Sequence, residues 1–137
     1  MDVIVANHQR EAAVPLDKMR RLARRAVKRL CIRRRGTMAI AFVDSRTMRA
    51  LNKQFKRHDW DTDVLSFRYD GERVAGEVLI APRQAKRYAA AHRIPYLDEL
   101  SRYVVHGILH WTGLDDRTTA QRRAMRRAED QLLNGHL

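Results

Sequence analysis

The chain has 137 residues, with 28 Lys and Arg against 16 Asp and Glu, a formal charge of +12, 45% hydrophobic residues and a single cysteine. That length is enough to bury a core, the apolar content excludes a disordered chain, and the lone Cys31 excludes an internal disulfide and suits a reducing compartment. No run approaches the ~20 apolar residues of a membrane span, and the positive excess favours an anionic partner, nucleic acid ahead of an acidic membrane surface, although a basic surface that is merely solvated fits the same count.

The first residues, Met1 to His8, hold a short β-prone run in which Val3 and Val5 alternate with Asp2 and Ile4. They read as a first strand rather than a signal peptide, so the expected location is the cytoplasm. Pro15 opens a helix where its missing N–H costs nothing. Leu16, Met19, Ala23, Ala26, Val27 and Leu30 form the buried stripe of that helix, and Gly36 is expected to close it. Its other face carries Arg20, Arg21, Arg24, Arg25, Lys28 and Arg29, either solvated or placed to hold phosphates. Arg33, Arg34 and Arg35 suit its negative end. Cys31 is expected to be a small packing residue after the helix.

Met38 to Val43 reads as a second strand, with Ile40 and Phe42 on one face. Asp44 is a fitting N-cap for a short helix through about Asn52, with Met48 and Leu51 turned inward. The polar segment from Lys53 to Asp61 sets Lys56, Arg57 and His58 between Phe55 and Trp60. Cations among aromatic rings suit single-stranded nucleic acid, because phosphates and base faces are met together. Val64 to Phe67 is a third strand, Tyr69 to Glu72 a turn, and Gly76 to Ala81 a fourth strand whose apolar run implies burial on both faces. Pro82 opens another helix, with Ala85, Tyr88 and Ala89 facing inward, and Ile94-Pro95 interrupts it. A further helix spans about Leu97 to Trp111, and Thr118-Thr119-Ala120-Gln121 resembles a capping box that starts the last one, lined by Met125, Ala128 and Leu132. With no repeat or linker, residues 1–137 are expected to form a single α+β domain.

The chemistry concentrates in His106-Gly-Ile-Leu-His110-Trp-Thr-Gly113-Leu-Asp115-Asp116. Residues at i and i+4 of a helix lie one above the other, so His106 and His110 can face a common point. They share the side of Glu99 and Tyr103, away from the apolar arc of Leu100, Val104, Ile108 and Trp111, which favours a cleft over a buried polar stripe. Gly113 suits the left-handed position that ends a helix, after which the chain can return Asp115 or Asp116 to the same point. Two imidazoles and a carboxylate are three ligands for a divalent cation, most simply Zn²⁺, with a fourth position left to water. With Asp116 as the third ligand, Mn²⁺ is also acceptable. Asp115 can orient a water or cap a turn.

The spacing is that of the elongated zinc-peptidase motif, but the residue after the first His, where such peptidases keep their general-base Glu, is Gly107. Without that proton acceptor, and with so basic a chain, a phosphodiester is the better substrate, since nearby cations can steady charge developing at phosphorus.

These residues resemble the signature of the YbeY family, bacterial rRNA maturation factors and single-strand-specific endoribonucleases. Leu51-Asn52 through Phe55, Thr62-Asp63-Val64-Leu65-Ser66-Phe67 and Gly76-Glu77-Val78-Leu79-Ile80 resemble that family's asparagine-containing helix and two of its strands, so the likeness covers Leu51 to Leu133 in order. It implies a mixed four-stranded sheet with helices packed on it and a metalloprotease-like zinc helix. It implies one Zn²⁺ per chain, or another divalent metal such as Mn²⁺, held by His106, His110 and Asp116. It implies work on rRNA beside the small ribosomal subunit, in 16S rRNA 3′-end processing and ribosome quality control, with no membrane and no nucleotide cofactor. Lys56 stands where the family has a catalytic Arg, with Arg57 next, so Lys56, Arg57 and Asp115 are the candidate catalytic residues and Lys56, Arg57 and His58 the candidate RNA contacts. The family usually has a third His at Asp116 and an aromatic at Leu114. A non-catalytic ribosome-biogenesis factor with a mainly structural metal is the competing reading, and a metallohydrolase for another substrate, opposed by Gly107, is a third.

Overall fold

The computed structural model describes residues 1–55, 63–71 and 73–134. Lys56, Arg57, His58 and Trp60 therefore lie outside the described residues, and with them the centre of the proposed basic loop. In chain order the elements are β1 (Asp2–Asn7), α1 (Leu16–Arg29), β2 (Thr37–Phe42), α2 (Ser45–Gln54), β3 (Val64–Arg68), β4 (Val74–Ile80), α3 (Pro82–His92), α4 (Tyr96–Trp111) and α5 (Thr119–Asn134).

The four strands form one mixed sheet in the order β1-β2-β4-β3. β1 pairs parallel with β2, β2 parallel with β4, and β3 returns antiparallel on β4. The expected α+β class with a mixed four-stranded sheet is therefore what this sequence forms. Register aligns Val5, Ile40 and Val78 across three strands, and Val3, Phe42 and Ile80 lie on the same face. That face carries the main core, because α1 and α4 lay Met19, Leu22, Ala23, Ala26, Leu100, Val104 and Ile108 against it. Burying these chains supplies most of the stabilisation, at about 25 cal/mol per Å² of apolar surface.

The opposite face is only partly covered. There Met48 of α2 packs with Ala41, Leu65 and Leu79. The expectation that β4 is buried on both faces is corrected accordingly: Gly76, Val78 and Ile80 are buried, while Glu77 and Leu79 are half-buried. The alternation is that of a strand with one core face and one lightly covered face.

The helix ends follow local chemistry. Asp44 caps α2, its carboxylate accepting from the Thr47 N–H at 2.7 Å, and the Glu11 carboxylate accepts from the next free N–H, that of Ser45, at 2.7 Å. Thr118 and Gln121 form the reciprocal pair of a capping box, each side-chain oxygen accepting from the other's backbone N–H. α1 stops earlier than expected: Leu30 is its C-cap and Cys31 takes the left-handed conformation, φ 52°. Cys31 is thus exposed at a helix end rather than packed. Gly36 serves the start of β2 instead, at φ +114°, where a Cβ would lie 2.8 Å from the Arg73 carbonyl oxygen. Leu16 and Leu30 are half-buried at the rim of the core, and Leu22 takes the central place. Arg34 reaches away from the α1 terminus to the turn after β3, bonding Asp70 and the Tyr69 carbonyl. Tyr88, expected inward, is 42% exposed and stacks on His92.

Candidate metal centre

Helix α4 is the element that positions the site. Its apolar arc is fully buried against the sheet, and Trp111 donates its indole N–H to the Ala75 carbonyl at 3.0 Å. The helix lies close to β3 and β4 because residue 107 is glycine: a Cβ there would stand 2.3 Å from Val78 Cγ1 and 3.0 Å from Val64 Cγ1. Ser66 of β3 donates its hydroxyl to the Gly107 carbonyl at 2.8 Å, tying helix to sheet at the same point. The missing peptidase Glu therefore has a steric cause. Position 107 faces the sheet, and no side chain fits there.

The opposite side of α4 opens on a cleft of about 560 Å³. Glu99, Tyr103, His106 and His110 form one wall, β3 from Val64 to Phe67 another, and Arg122, Arg126 and Glu129 of α5 the third. Phe55, half exposed at the end of α2, meets Phe67 edge-on with ring centroids 5.1 Å apart and closes one end of the cleft.

The two histidine rings lie nearly parallel, 9° apart in plane with centroids 6.3 Å apart. Each has its Nδ1 occupied by a protein acceptor. His106 Nδ1–H donates to a Glu129 carboxylate oxygen at 2.7 Å, and His110 Nδ1–H to the Leu114 carbonyl at 2.9 Å. This fixes the tautomer and leaves each Nε2 with the available lone pair. After α4, Gly113 takes φ +111° and the chain turns back. The turn places Asp116 Oδ2 3.6 Å from His106 Nε2. It also brings ligand atoms of His110, Asp115 and Asp116 all within 4.8 Å of one another. Arg122 holds the turn from outside, donating to the Asp116 and Arg117 carbonyls.

His110, Asp115 and Asp116 fit a divalent cation: imidazole and carboxylate donors converge, the His110 ring is pre-oriented, and the spot is partly open to solvent, with His106 beside Asp116. Asp115 also has the turn-capping role, one carboxylate oxygen accepting from the Asp116 N–H at 2.9 Å and the other 3.4 Å from Arg117 Nε. Of the seven residues singled out in the sequence, His110, Asp115 and Asp116 form one converging group, His106 stands outside that group with its Nε2 3.6 Å from Asp116, and Lys56, Arg57 and His58 lie outside the described residues.

Sequence reasoning missed the support behind His106. Glu129 is 5% exposed and shares its second oxygen with Arg102 Nη1 at 2.8 Å, while Arg102 Nη2 reaches Asp130 at 2.9 Å. Burial works against the Arg102 charge, but these two carboxylates more than offset it and hold the guanidinium protonated. The signal was present: Glu129 falls on the apolar stripe of α5 between Met125 and Leu132, where a lone carboxylate needs a partner. Farther along the cleft, Tyr103 donates to Asp63 at 2.9 Å, and burial, then the Asp63 charge, push its phenol far above the usual range. Burial likewise raises the Glu99 carboxyl.

Residues 4–136 match the model of the family described as Endoribonuclease YbeY. The Endoribonuclease YbeY of Bacteroides fragilis is 33% identical over 102 residues, which cover 74% of this chain and 73% of that one. The Endoribonuclease YbeY of Rhodopirellula baltica is 40% identical over 99 residues, covering 69% of this chain and 51% of its own length. The solution structure of TM1509 from Thermotoga maritima shares the fold, with a TM-score of 0.64 at 23% identity over 96% of this chain and 87% of that one. With a family match that begins in β1 and runs past the end of α5, and a relative 33% identical over 74% of this chain, the chain belongs to the endoribonuclease YbeY family.

Proposed function

We propose that this protein is a metal-dependent endoribonuclease that cuts single-stranded rRNA. Its setting is the cytoplasm beside the small ribosomal subunit, in 16S rRNA 3′-end processing and quality control. The observation that carries the reading is the convergence of His110, Asp115 and Asp116, with His106 beside Asp116, where His106, His110 and Asp116 line a cleft also walled by Arg122 and Arg126. We take His106, His110 and Asp116 as the ligand set, most simply for Zn²⁺ with Mn²⁺ acceptable; His110 and Asp116 belong with Asp115 to one group of converging ligand atoms, and His106 Nε2 stands 3.6 Å from Asp116. The side chains of His106 and Asp116 keep 28% and 26% of their surface exposed, which favours a site open to substrate over the closed four-ligand site of a structural metal.

A divalent ion bound there would lower the pKa of water to about 7 and polarise a phosphoryl oxygen. The residues of the chain supply the rest. Arg122 and Arg126 offer positive charge along α5 to a strand lying in the cleft. Phe55 and Phe67 offer ring faces to an unstacked base, which a duplex cannot present. Asp115 can hold a water by hydrogen bond while its turn keeps it in place. Lys56 and Arg57 are kept as catalytic cations on the family resemblance, and Lys56, Arg57 and His58 as RNA contacts on the pattern of cations among aromatic residues.

Stripping the metal with a chelator should abolish cleavage of a single-stranded rRNA fragment, and Zn²⁺ or Mn²⁺ should restore it, with the duplex form of the fragment uncut throughout. Undiminished cleavage by protein shown to be metal-free would defeat the proposal.

Glu129 is expected to act through His106. Replacing it, Glu129→Gln, keeps the size but weakens the acceptor that orients the ring. Loss of such a partner lowers metal affinity by about 10–100-fold. Titration against a competing chelator measures this directly, and unchanged affinity would mean that the Glu129 contact does not orient a ligand.

A further inference from the structure

A second cavity, of about 650 Å³, lies where α1, α4 and α5 meet. It is contiguous with the metal cleft, because Glu99, Arg102 and Arg126 line both. Its outer wall is α1, which presents Lys18, Arg21 and Arg25. These three recur at i, i+3 and i+7, on one face of the helix, and extend over about 10.5 Å at 1.5 Å per residue, long enough to meet more than one phosphate. They are exposed, and among the described residues none of them forms an ion pair. Some arginines elsewhere in the chain are held in ion pairs, Arg20 with Asp17, Arg34 with Asp70 and Arg83 with Glu11. The floor is apolar, with Leu22, Ile94 and Leu133, and Ile94 is left 38% exposed. The acidic groups in the groove are Asp98, exposed at the rim, and Glu99, whose carboxyl burial pushes towards its neutral form.

We infer that the α1–α4–α5 groove is a second binding site for the same RNA strand, in which Lys18, Arg21 and Arg25 hold the phosphates of nucleotides that continue from the metal cleft past Arg126. The inference rests on the reading of the cleft as an RNA site and adds to it a substrate class: strands long enough to fill both cavities. A groove of unpaired cations over an apolar floor suits a single strand, whose bases can turn inward while its phosphates face outward.

The test compares wild type with the triple variant Lys18→Ala, Arg21→Ala, Arg25→Ala, using non-cleavable 2′-O-methyl strands of about 4 and about 12 nucleotides, on the scale of single-strand site sizes. Exposed substitutions of this kind change stability little. Fluorescence anisotropy over a salt series should show the long strand weakened at least about tenfold and its log K against log salt slope reduced by about 2, from about 0.7 per phosphate contact. The short strand should bind both proteins alike. Equal weakening of both strands, or of neither, overturns the groove while leaving the cleft reading intact. Loss of affinity for an acidic peptide with RNA affinity unchanged assigns the groove to a protein partner and also overturns it. Wild-type protein that binds neither strand overturns the cleft reading and the groove together.

Discussion

His110→Ala is expected to lose its metal and about 10³-fold of RNA cleavage, the rate equivalent of several kcal/mol of transition-state stabilisation from a bound cation, while remaining folded. The separation of the two effects comes from where the residue sits. His110 is half-buried on the cleft side of α4, opposite the core arc formed by Leu100, Val104 and Ile108. Its removal takes away one ring and one hydrogen bond to the Leu114 carbonyl, but no core contact. The turn it touches keeps other restraints, since Leu114 N–H still bonds the Leu109 carbonyl and Arg122 still holds the carbonyls of Asp116 and Arg117. Circular dichroism should therefore show a cooperative melt near that of the parent, and elemental analysis should show metal gone. Asp116→Asn is the companion experiment. Its amide oxygen remains a weak donor at the same place, so partial metal retention with a smaller loss of rate is expected. Cleavage undiminished in His110→Ala would assign the activity to another site or to a contaminating nuclease.

The candidate metal site, the converging His110, Asp115 and Asp116, was legible in outline because it is local. Eleven residues from His106 to Asp116 contain both histidines, the left-handed Gly113 and both aspartates, and helical geometry alone predicts that they can converge. The caps at Asp44 and Thr118 were legible for the same reason, each bond closing over three residues. What the sequence concealed is long-range. Glu129 meets His106 only because α5 folds back along α4, and the partners are 23 residues apart. Gly36 is not the helix stop that its position suggests, because the space it must leave free is set by Arg73 and Ala75, which belong to β4 and its approach. The half-open face of β4 was missed because Leu79 reads as core in sequence, whereas among the described residues it packs on the small Val43, Met48 and Ala81 cluster beneath α2.

The second large effect is expected at Gly107. An exposed or loosely packed helical glycine changed to alanine gains about 1 kcal/mol from propensity. Here the sign should reverse. The added Cβ would meet Val78 Cγ1 at 2.3 Å, and Val78 is fully buried on the central strand β4. Overpacking of this sort costs about 1–3 kcal/mol even when neighbours adjust. Gly107→Glu, which would recreate the peptidase motif, should cost more than about 4 kcal/mol, since it adds a long side chain and a buried unpaired carboxylate against Val64 and Val78. The expected product is an unfolded or metal-free protein and not a peptidase. To accommodate the side chain α4 must lift from β3, breaking the Ser66 hydroxyl bond to the Gly107 carbonyl and carrying His106 and His110 away from Asp116. Urea denaturation of Gly107→Ala, Val78→Ala and the double variant isolates the cause. Removing Val78 Cγ1 opens the space that a methyl group at position 107 needs, so the double variant should be more stable than the sum of the two single losses, with a coupling within the usual range of about 0.5–3 kcal/mol. Strict additivity, or a Gly107→Ala protein more stable than its parent, would mean that α4 does not bear on β4 at this point, and the steric account of the absent glutamate would fall with it.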